Sequence, residues 1–350
     1  MGGRIFMAKA RDLYTGIMDA GNLIEAAYRA ARGKYARENV VAWMRDLADN
    51  LSLIRTRLED QTWRPSAYKQ FLIRSPKQRV ISAAPFADRV VHHAVCQIIL
   101  PILEKSLVPQ TCANRIVYGT HHAVDLCQRY LRRFAWYLKC DIKQFFPSID
   151  HAILKALIRK RIACRDTLAL IDSLIDSGGG MDDVTGRRVG LPLGNLTSQH
   201  FANLFLSPLD HFVIQRLHAR GYVRYVDDFV IFGNSPAHLA EMRDKVQAYL
   251  ETLNLSIHTT RALPRPEKDG ITFLGYRVFR DYRRVTRDNV IRARRRIRLR
   301  YRQYHDGLID ARQLKSSLFA WVGHARQADA WPIIRRLLAG KMHTKSHCRV

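Results

Sequence analysis

Residues 221–233 read GYVRYVDDFVIFG, two adjacent aspartates set between β-branched and aromatic runs. The apolar flanks predict a hairpin with Asp227 and Asp228 at its turn. A turn asks for Asn, Gly or Asp only for its backbone geometry, which accounts for one aspartate better than for two. Adjacent carboxylates repel, and holding both near a core is costly without a compensating cation. A divalent metal would supply that cation.

A third carboxylate, Asp141, ends the apolar stretch AWYLKCDI at 135–142, which reads as another strand. Two strands of one sheet would bring the three together. Two-metal phosphoryl transfer needs such a cluster: one Mg²⁺ activates the attacking hydroxyl, the other stabilises leaving pyrophosphate, and carboxylate oxygens suit this hard cation. Asp182 and Asp183 are also adjacent, but they lie in the glycine-rich SGGGMDDVTGRR without flanking strands and read as solvated turn residues.

Charge balance narrows the substrate. The chain has 58 Lys plus Arg against 31 Asp plus Glu, a net charge of +27. A polyanion is the expected partner, and nucleic acid is the commonest, because each phosphate contact releases condensed counterions. No uninterrupted run of 18 apolar residues occurs, so no membrane partner is expected. Cysteines 96, 112, 127, 140, 164 and 348 show no CxxC spacing and no signal peptide precedes them. They read as buried thiols in a reducing cytoplasm, and His343, His347 and Cys348 as part of a basic tail rather than a zinc site.

Helical spacing is expected over 40–58, 90–107 despite Pro101, 151–161, 166–177, 201–220 and 237–253, with strands around a basic turn in 71–83 and again in 270–279. This interleaving predicts an α+β fold with an antiparallel sheet. The remainder is helical and basic and reads as a separate subdomain. Residues 280–302 hold eleven arginines against two aspartates. Val290, Ala293, Ile297, Tyr301 and Tyr304 form an apolar stripe there, leaving Arg292, Arg295, Arg296, Arg298 and Arg302 to face a nucleic acid backbone. His324, in WVGHA, is expected to pack with Trp321 and Trp331.

Four separated blocks, DIKQFFPSID at 141–150, LPLGNLTSQHFANLF at 191–205, YVDD at 225–228 and FLGY at 273–276, resemble reverse transcriptase motifs in order and spacing. The resemblance runs from about Arg79 to the end of the chain. More narrowly, the chain resembles reverse transcriptases of diversity-generating retroelements, in which the block that elsewhere reads QGxxxSP has an aliphatic residue before the glycine and Gln after the serine. Here these are Leu193, Gly194, Ser198 and Gln199. The segment SSLFAWVGHARQADAW at 316–331 also resembles that family's thumb signature.

The resemblance implies a right-hand polymerase. Its N-terminal segment and fingers would span 1–135, its palm 136–284 with an inserted fingers segment at about 150–193, and its helical thumb and basic tail 285–350. It implies two Mg²⁺ ions held by Asp141 and Asp227, with Asp228 as third carboxylate and Ile142 offering its backbone carbonyl. Phe146 would be the steric gate that selects deoxynucleotides, against its reading as a plain core aromatic. Lys77 and Arg79 would hold the triphosphate, near Leu193, Gly194 and Gln199. The family's lysine after the YxDD hairpin is replaced in LSIHTTRAL by His258 and Arg261; read alone, His258 is a neutral surface histidine. Implied partners are template RNA, primer or cDNA, dNTPs, and a small basic accessory protein that forms a pentamer. Retron, defence-associated and intron-derived enzymes stay open as alternatives, as does a noncatalytic RNA-binding protein on a polymerase scaffold. An intron-encoded protein would be expected to append a further segment after the thumb.

Overall fold

The computed structural model describes residues 12–73 and 78–339. The fold is α+β, and every strand pair in its four small sheets is antiparallel. Helices α1 (Tyr14–Met18), α2 (Ala20–Ala31), α3 (Glu38–Arg45) and α4 (Leu47–Glu59) come first, followed by the hairpin β1 (Lys69–Ile73) and β2 (Arg79–Ala83). The stretch 40–58 is therefore not one helix. Asp46 leaves helical geometry at φ −101°, ψ 39°, and Asn50 Nδ2 donates to the Trp43 carbonyl at 3.0 Å, so the break leaves that acceptor satisfied.

Helix α5 (Phe86–Leu103) runs through Pro101 and packs on α2 and on a later helix, Leu196–Phe205. With the turn that follows, to Ser106, it is long and apolar enough by length and composition to cross a membrane, yet 56% of that window is buried within the protein. Asp88, Arg89, His92, His93 and Gln97 interrupt it, which is why no unbroken apolar run was visible.

Helix α6 (Thr120–Leu131) leads to β3 (Trp136–Asp141), then α7 (Phe145–Ser148), α8 (His151–Arg159) and α9 (Arg165–Asp176). The glycine-rich segment closes as a small hairpin, β4 (Gly180–Met181) with β5 (Arg188–Val189), so Asp182 and Asp183 do have flanking strands. Asp182 shapes the turn by accepting from Val184 N and Thr185 Oγ1. The helical stretch expected at 201–220 starts earlier and divides into α10 (Leu196–Phe205), α11 (Ser207–His211) and a π turn at Phe212–Arg216. Pro208, which cannot donate, opens α11.

There follow β6 (Gly221–Tyr225), β7 (Asp228–Gly233), α12 (Pro236–Glu251) and β8 (Pro264–Pro266); a three-stranded sheet of β9 (Ile271–Phe273), β10 (Tyr276–Val278) and β11 (Arg283–Val285); and helices α13 (Arg287–His305), α14 (Ala311–Ala325) and α15 (Trp331–Ala339). The main sheet has the order β6-β7-β3-β8.

Alternation along these strands divides the interior in two. Leu138, Cys140, Tyr222, Phe229 and Ile231 face a core shared with the N-terminal helices and with α8 to α12. Tyr137, Val223, Val230 and Phe232 face a second core, shared with α6, β9, β10 and the C-terminal helices through Phe273, Tyr276, Ile297 and Trp321. The helices after residue 285 thus share this core with the sheet. Cys96, Cys112, Cys127 and Cys140 are buried free thiols and Cys164 is half-buried; His343, His347 and Cys348 lie outside the described residues.

Candidate active site

Strands β3 and β7 pair with Asp141 opposite Asp228, and β6 pairs with β7 with Tyr225 opposite Asp228. Directly opposed residues lie about 5 Å apart and project from one face. The face is that of the second core, at the end where the core runs out. Asp227 occupies the turn, and its carbonyl accepts from Ile142 N at 3.3 Å, which ties the hairpin to the residue after Asp141.

The turn itself explains why the aspartates are not there for backbone reasons. Its left-handed residue is Val226, at φ 58°, whereas neither Asp227 nor Asp228 has positive φ. A β-branched residue in that region is strained by about 1–3 kcal/mol. The position that calls for Asn, Gly or Asp is filled by valine, and the carboxylates stand where geometry makes no such demand.

A buried network holds this turn, and sequence reasoning missed it. Arg224 is fully buried within β6. Its guanidinium bonds Asp210 (Nη2 to Oδ2 2.5 Å, Nε to Oδ1 2.6 Å), the Asn203 carbonyl and, through Nη1 at 2.9 Å, the Val226 carbonyl. Tyr222 donates to Asp210 Oδ1 at 2.7 Å and Thr111 Oγ1 to Oδ2 at 2.7 Å. The signal was present: an arginine in the middle of an apolar strand demands a buried partner.

Asp228 is part-buried. Its Oδ2 lies 3.0 Å from Lys139 Nζ, and its Oδ1 is shielded from solvent with no hydrogen-bond partner among the described residues. Burial pushes its carboxyl up to about 6; Lys139 opposes that shift, and Asp141 and Asp227 add to it. Among the described residues no three His, Cys, Asp or Glu side chains already converge on one point. The aspartates are neighbours on one surface rather than a closed cage. An orphaned carboxylate oxygen beside two further carboxylates nevertheless fits a hard divalent cation.

A cavity of about 530 Å³ opens on this surface, lined by Lys139, Asp141, Asp228, His258, Arg261 and Arg277 among others. His258 is half-buried and lines this cavity. Its backbone N–H donates to the Asp141 carbonyl at 3.1 Å, joining the segment before β8 to β3.

The block around Gly194 docks on the β1–β2 hairpin. Ser82 N donates to the Leu193 carbonyl at 2.8 Å, and Gly194 sits at φ 117° with the position of a Cβ only 2.9 Å from Ile81. Any side chain there would strain the backbone and collide with β2. Arg79 is exposed at the first position of β2; Lys77 lies outside the described residues. Leu193 and Gln199 line different cavities. Leu193 belongs to one of about 390 Å³ with Val80, Pro147 and Leu191, whereas Gln199 belongs to a groove of about 1320 Å³ with Tyr28, Arg29, Arg32, Arg115 and Tyr225. Those N-terminal groove residues were not anticipated. Phe145 is the buried core aromatic, and Phe146, half-buried, stacks edge-on against it at 5.6 Å between centroids.

On α13, Arg292, Arg295, Arg296, Arg298 and Arg302 are exposed, while Ala293 and Ile297 are buried and Tyr304 is exposed. The apolar stripe thus ends near Tyr301. Trp321 is buried but Trp331 is exposed, under the Arg335 guanidinium. His324 is polar-bonded rather than merely packed: Tyr276 Oη lies 2.8 Å from Nδ1, Asn289 Nδ2 3.0 Å from Nε2, and Trp321 Nε1 donates to Asn289 Oδ1 at 3.1 Å. This chain fastens α13 and α14 to β10.

An acidic centre ringed by cationic cavities suits phosphoryl transfer on a polyanion. The family model described as reverse transcriptase (RNA-dependent DNA polymerase) matches residues 69–278, more than half of the chain, and the chain belongs to that family. It is thereby an RNA-directed DNA polymerase, and the family implies a right-hand polymerase fold. Protein YkfC of Escherichia coli (strain K12) is 23% identical over 275 residues, which cover 67% of this chain and 72% of that protein. The group II intron-encoded protein LtrA of Lactococcus lactis subsp. cremoris is 28% identical over 163 residues, covering 45% of this chain and 27% of LtrA. A truncated apo telomerase from Candida tropicalis is 15% identical and superposes with a TM-score of 0.48, covering 66% of this chain and 58% of that one.

Proposed function

We propose that the chain extends a DNA primer along an RNA template, and that the template is the noncoding RNA of a diversity-generating retroelement copied with errors. The observation that carries the polymerase reading is the pairing of Asp141 with Asp228 beside the Asp227 turn. Asp141 and Asp227 would hold Mg²⁺, with Asp228 as third carboxylate and Ile142 offering its carbonyl; the Ile142 N–H donates to the Asp227 carbonyl and so fixes that backbone beside the turn. When bound, the two ions activate the primer hydroxyl and neutralise the leaving pyrophosphate. The protein's own part is to hold the carboxylates on rigid strands and to surround them with Lys139, His258 and Arg261. Arg79, on the hairpin above Gly194, would grip the triphosphate together with Lys77, which lies outside the described residues, and Phe146 would exclude a 2′-hydroxyl.

The groove between α2, α5 and α10 would take the template strand, with tyrosines to stack on bases and arginines to meet phosphates. The exposed arginine face of α13 would track the duplex. Replacing Arg292, Arg295, Arg296 and Arg298 by glutamine is expected to reduce the slope of log K against log salt by about 3, measured by RNA binding across a salt series. An unchanged slope would show that this face is only solvated.

The diversity-generating assignment rests on Leu193 before Gly194 and Gln199 after Ser198. An aliphatic side chain cannot make the hydrogen bonds an amide makes near an incoming nucleotide, so base selection is loosened. Sequencing cDNA made on an RNA template tests this: errors concentrated opposite adenines support it, and Leu193→Gln is expected to change the error spectrum. Faithful cDNA, or a spectrum indifferent to Leu193→Gln, would instead favour an intron-type enzyme, the reading favoured by the similarity to LtrA. The pentameric accessory protein and a cytoplasmic setting belong to this proposal; four buried free thiols are compatible with the latter.

A further inference from the structure

Lys139 stands two residues before Asp141 on β3, so the two share a face with Tyr137. Its Nζ lies 3.0 Å from Asp228 Oδ2 and donates to the Thr272 carbonyl at 2.8 Å, with the Phe273 ring centroid 5.9 Å away. One ammonium thus joins the third carboxylate on β7 to the backbone of β9, in the sheet on which the thumb helices pack. The Lys139 side chain is one-third exposed.

Three neighbouring carboxylates repel one another and are costly to hold without a counter-charge. The ammonium of lysine is a compact charge on a flexible stem, able to swing aside, whereas a planar guanidinium forked onto a carboxylate is committed to it. Resting on the metal reading above, we infer that Lys139 is the built-in counter-ion of the aspartate cluster in the ion-free enzyme, and that it competes with the incoming divalent cation for Asp228. Asp228 is held by the lysine through Oδ2 alone, while its Oδ1, shielded from solvent, has no partner among the described residues, so the carboxylate keeps bonding capacity that Lys139 does not satisfy. The bond to Thr272 gives the displaced ammonium a second partner, so ion entry leaves no bare charge.

The test uses the full chain and Mn²⁺ as a spectroscopic probe. Binding is followed by electron paramagnetic resonance and thermal unfolding is recorded with and without ion, for wild type, Lys139→Met, Lys139→Gln and Lys139→Arg. Loss of a unit positive charge next to the site is expected to tighten Mn²⁺ binding about tenfold in Lys139→Met and Lys139→Gln. It is also expected to lower the ion-free melting temperature more than the ion-loaded one. Lys139→Gln keeps a donor for Thr272 and serves should Lys139→Met fail to fold; Lys139→Arg, which keeps the charge but commits it to the carboxylate, should bind Mn²⁺ no more tightly than wild type. Equal lowering of both melting temperatures with unchanged Mn²⁺ affinity would mean a prop only, and would overturn the inference while leaving the metal reading intact. Failure of wild type to bind Mn²⁺ would sink both.

Discussion

Asp227→Ala is expected to lower Mg²⁺-dependent primer extension by about a thousandfold, since several kcal/mol of transition-state stabilisation depend on the ions its carboxylate would hold. Folding should survive. Asp227 sits in the turn rather than in either core, and the hairpin register is set by the five β6–β7 pairs from Gly221 with Phe232 to Tyr225 with Asp228. Circular dichroism and melting temperature near those of wild type, with activity gone, is the expected pair of results. Retained activity would mean that Asp227 is a turn residue after all.

Arg224→Met is expected to act in the opposite way, through stability. It leaves Asp210 charged and unpaired in a fully buried site, since both side chains of this ion pair have no solvent exposure. Breaking such a pair costs about 3–5 kcal/mol, a fall on the order of 10 °C in melting temperature for a chain of this size. The Val226 carbonyl loses its guanidinium donor too, so the strained turn beside Asp227 is released. Replacing both partners, Arg224→Met with Asp210→Leu, removes the orphaned charge and should recover most of the stability without recovering the turn. Thermal unfolding of the two single variants and the double measures the coupling; additive single effects would show that the pair does not act as a unit.

That the aspartates would meet was legible because Asp141 ended a strand of the right pattern and Asp227 and Asp228 stood at the turn of a hairpin, and the sheet does pair Asp141 with Asp228. The antiparallel sheet and the arginine face of α13 were legible for similar reasons, through alternation and helical spacing. Boundaries were less so. Asp46 and Pro208 break helices whose apolar spacing continues past them, because a single residue's backbone outweighs the pattern. What escaped altogether was long-range. Arg224 finds Asp210 on α11, Lys139 finds Thr272 across two sheets, and Tyr276 on β10 finds His324 on α14. Arg224 stands out as a charge within an apolar strand, but neither it nor Lys139 nor His324 names its partner; only the fold supplies that. Trp331 shows the converse: an aromatic at helical spacing that the fold leaves outside.

The most direct measurement is extension of a DNA primer on an RNA template by the purified wild-type chain, with dNTPs or NTPs, in Mg²⁺ or in chelator. The account predicts DNA product in Mg²⁺ with dNTPs, little product with NTPs because Phe146 would guard the sugar, and none in chelator. Absence of product in Mg²⁺, in a chain that still binds the RNA, would contradict it and leave an RNA-binding protein built on a polymerase fold.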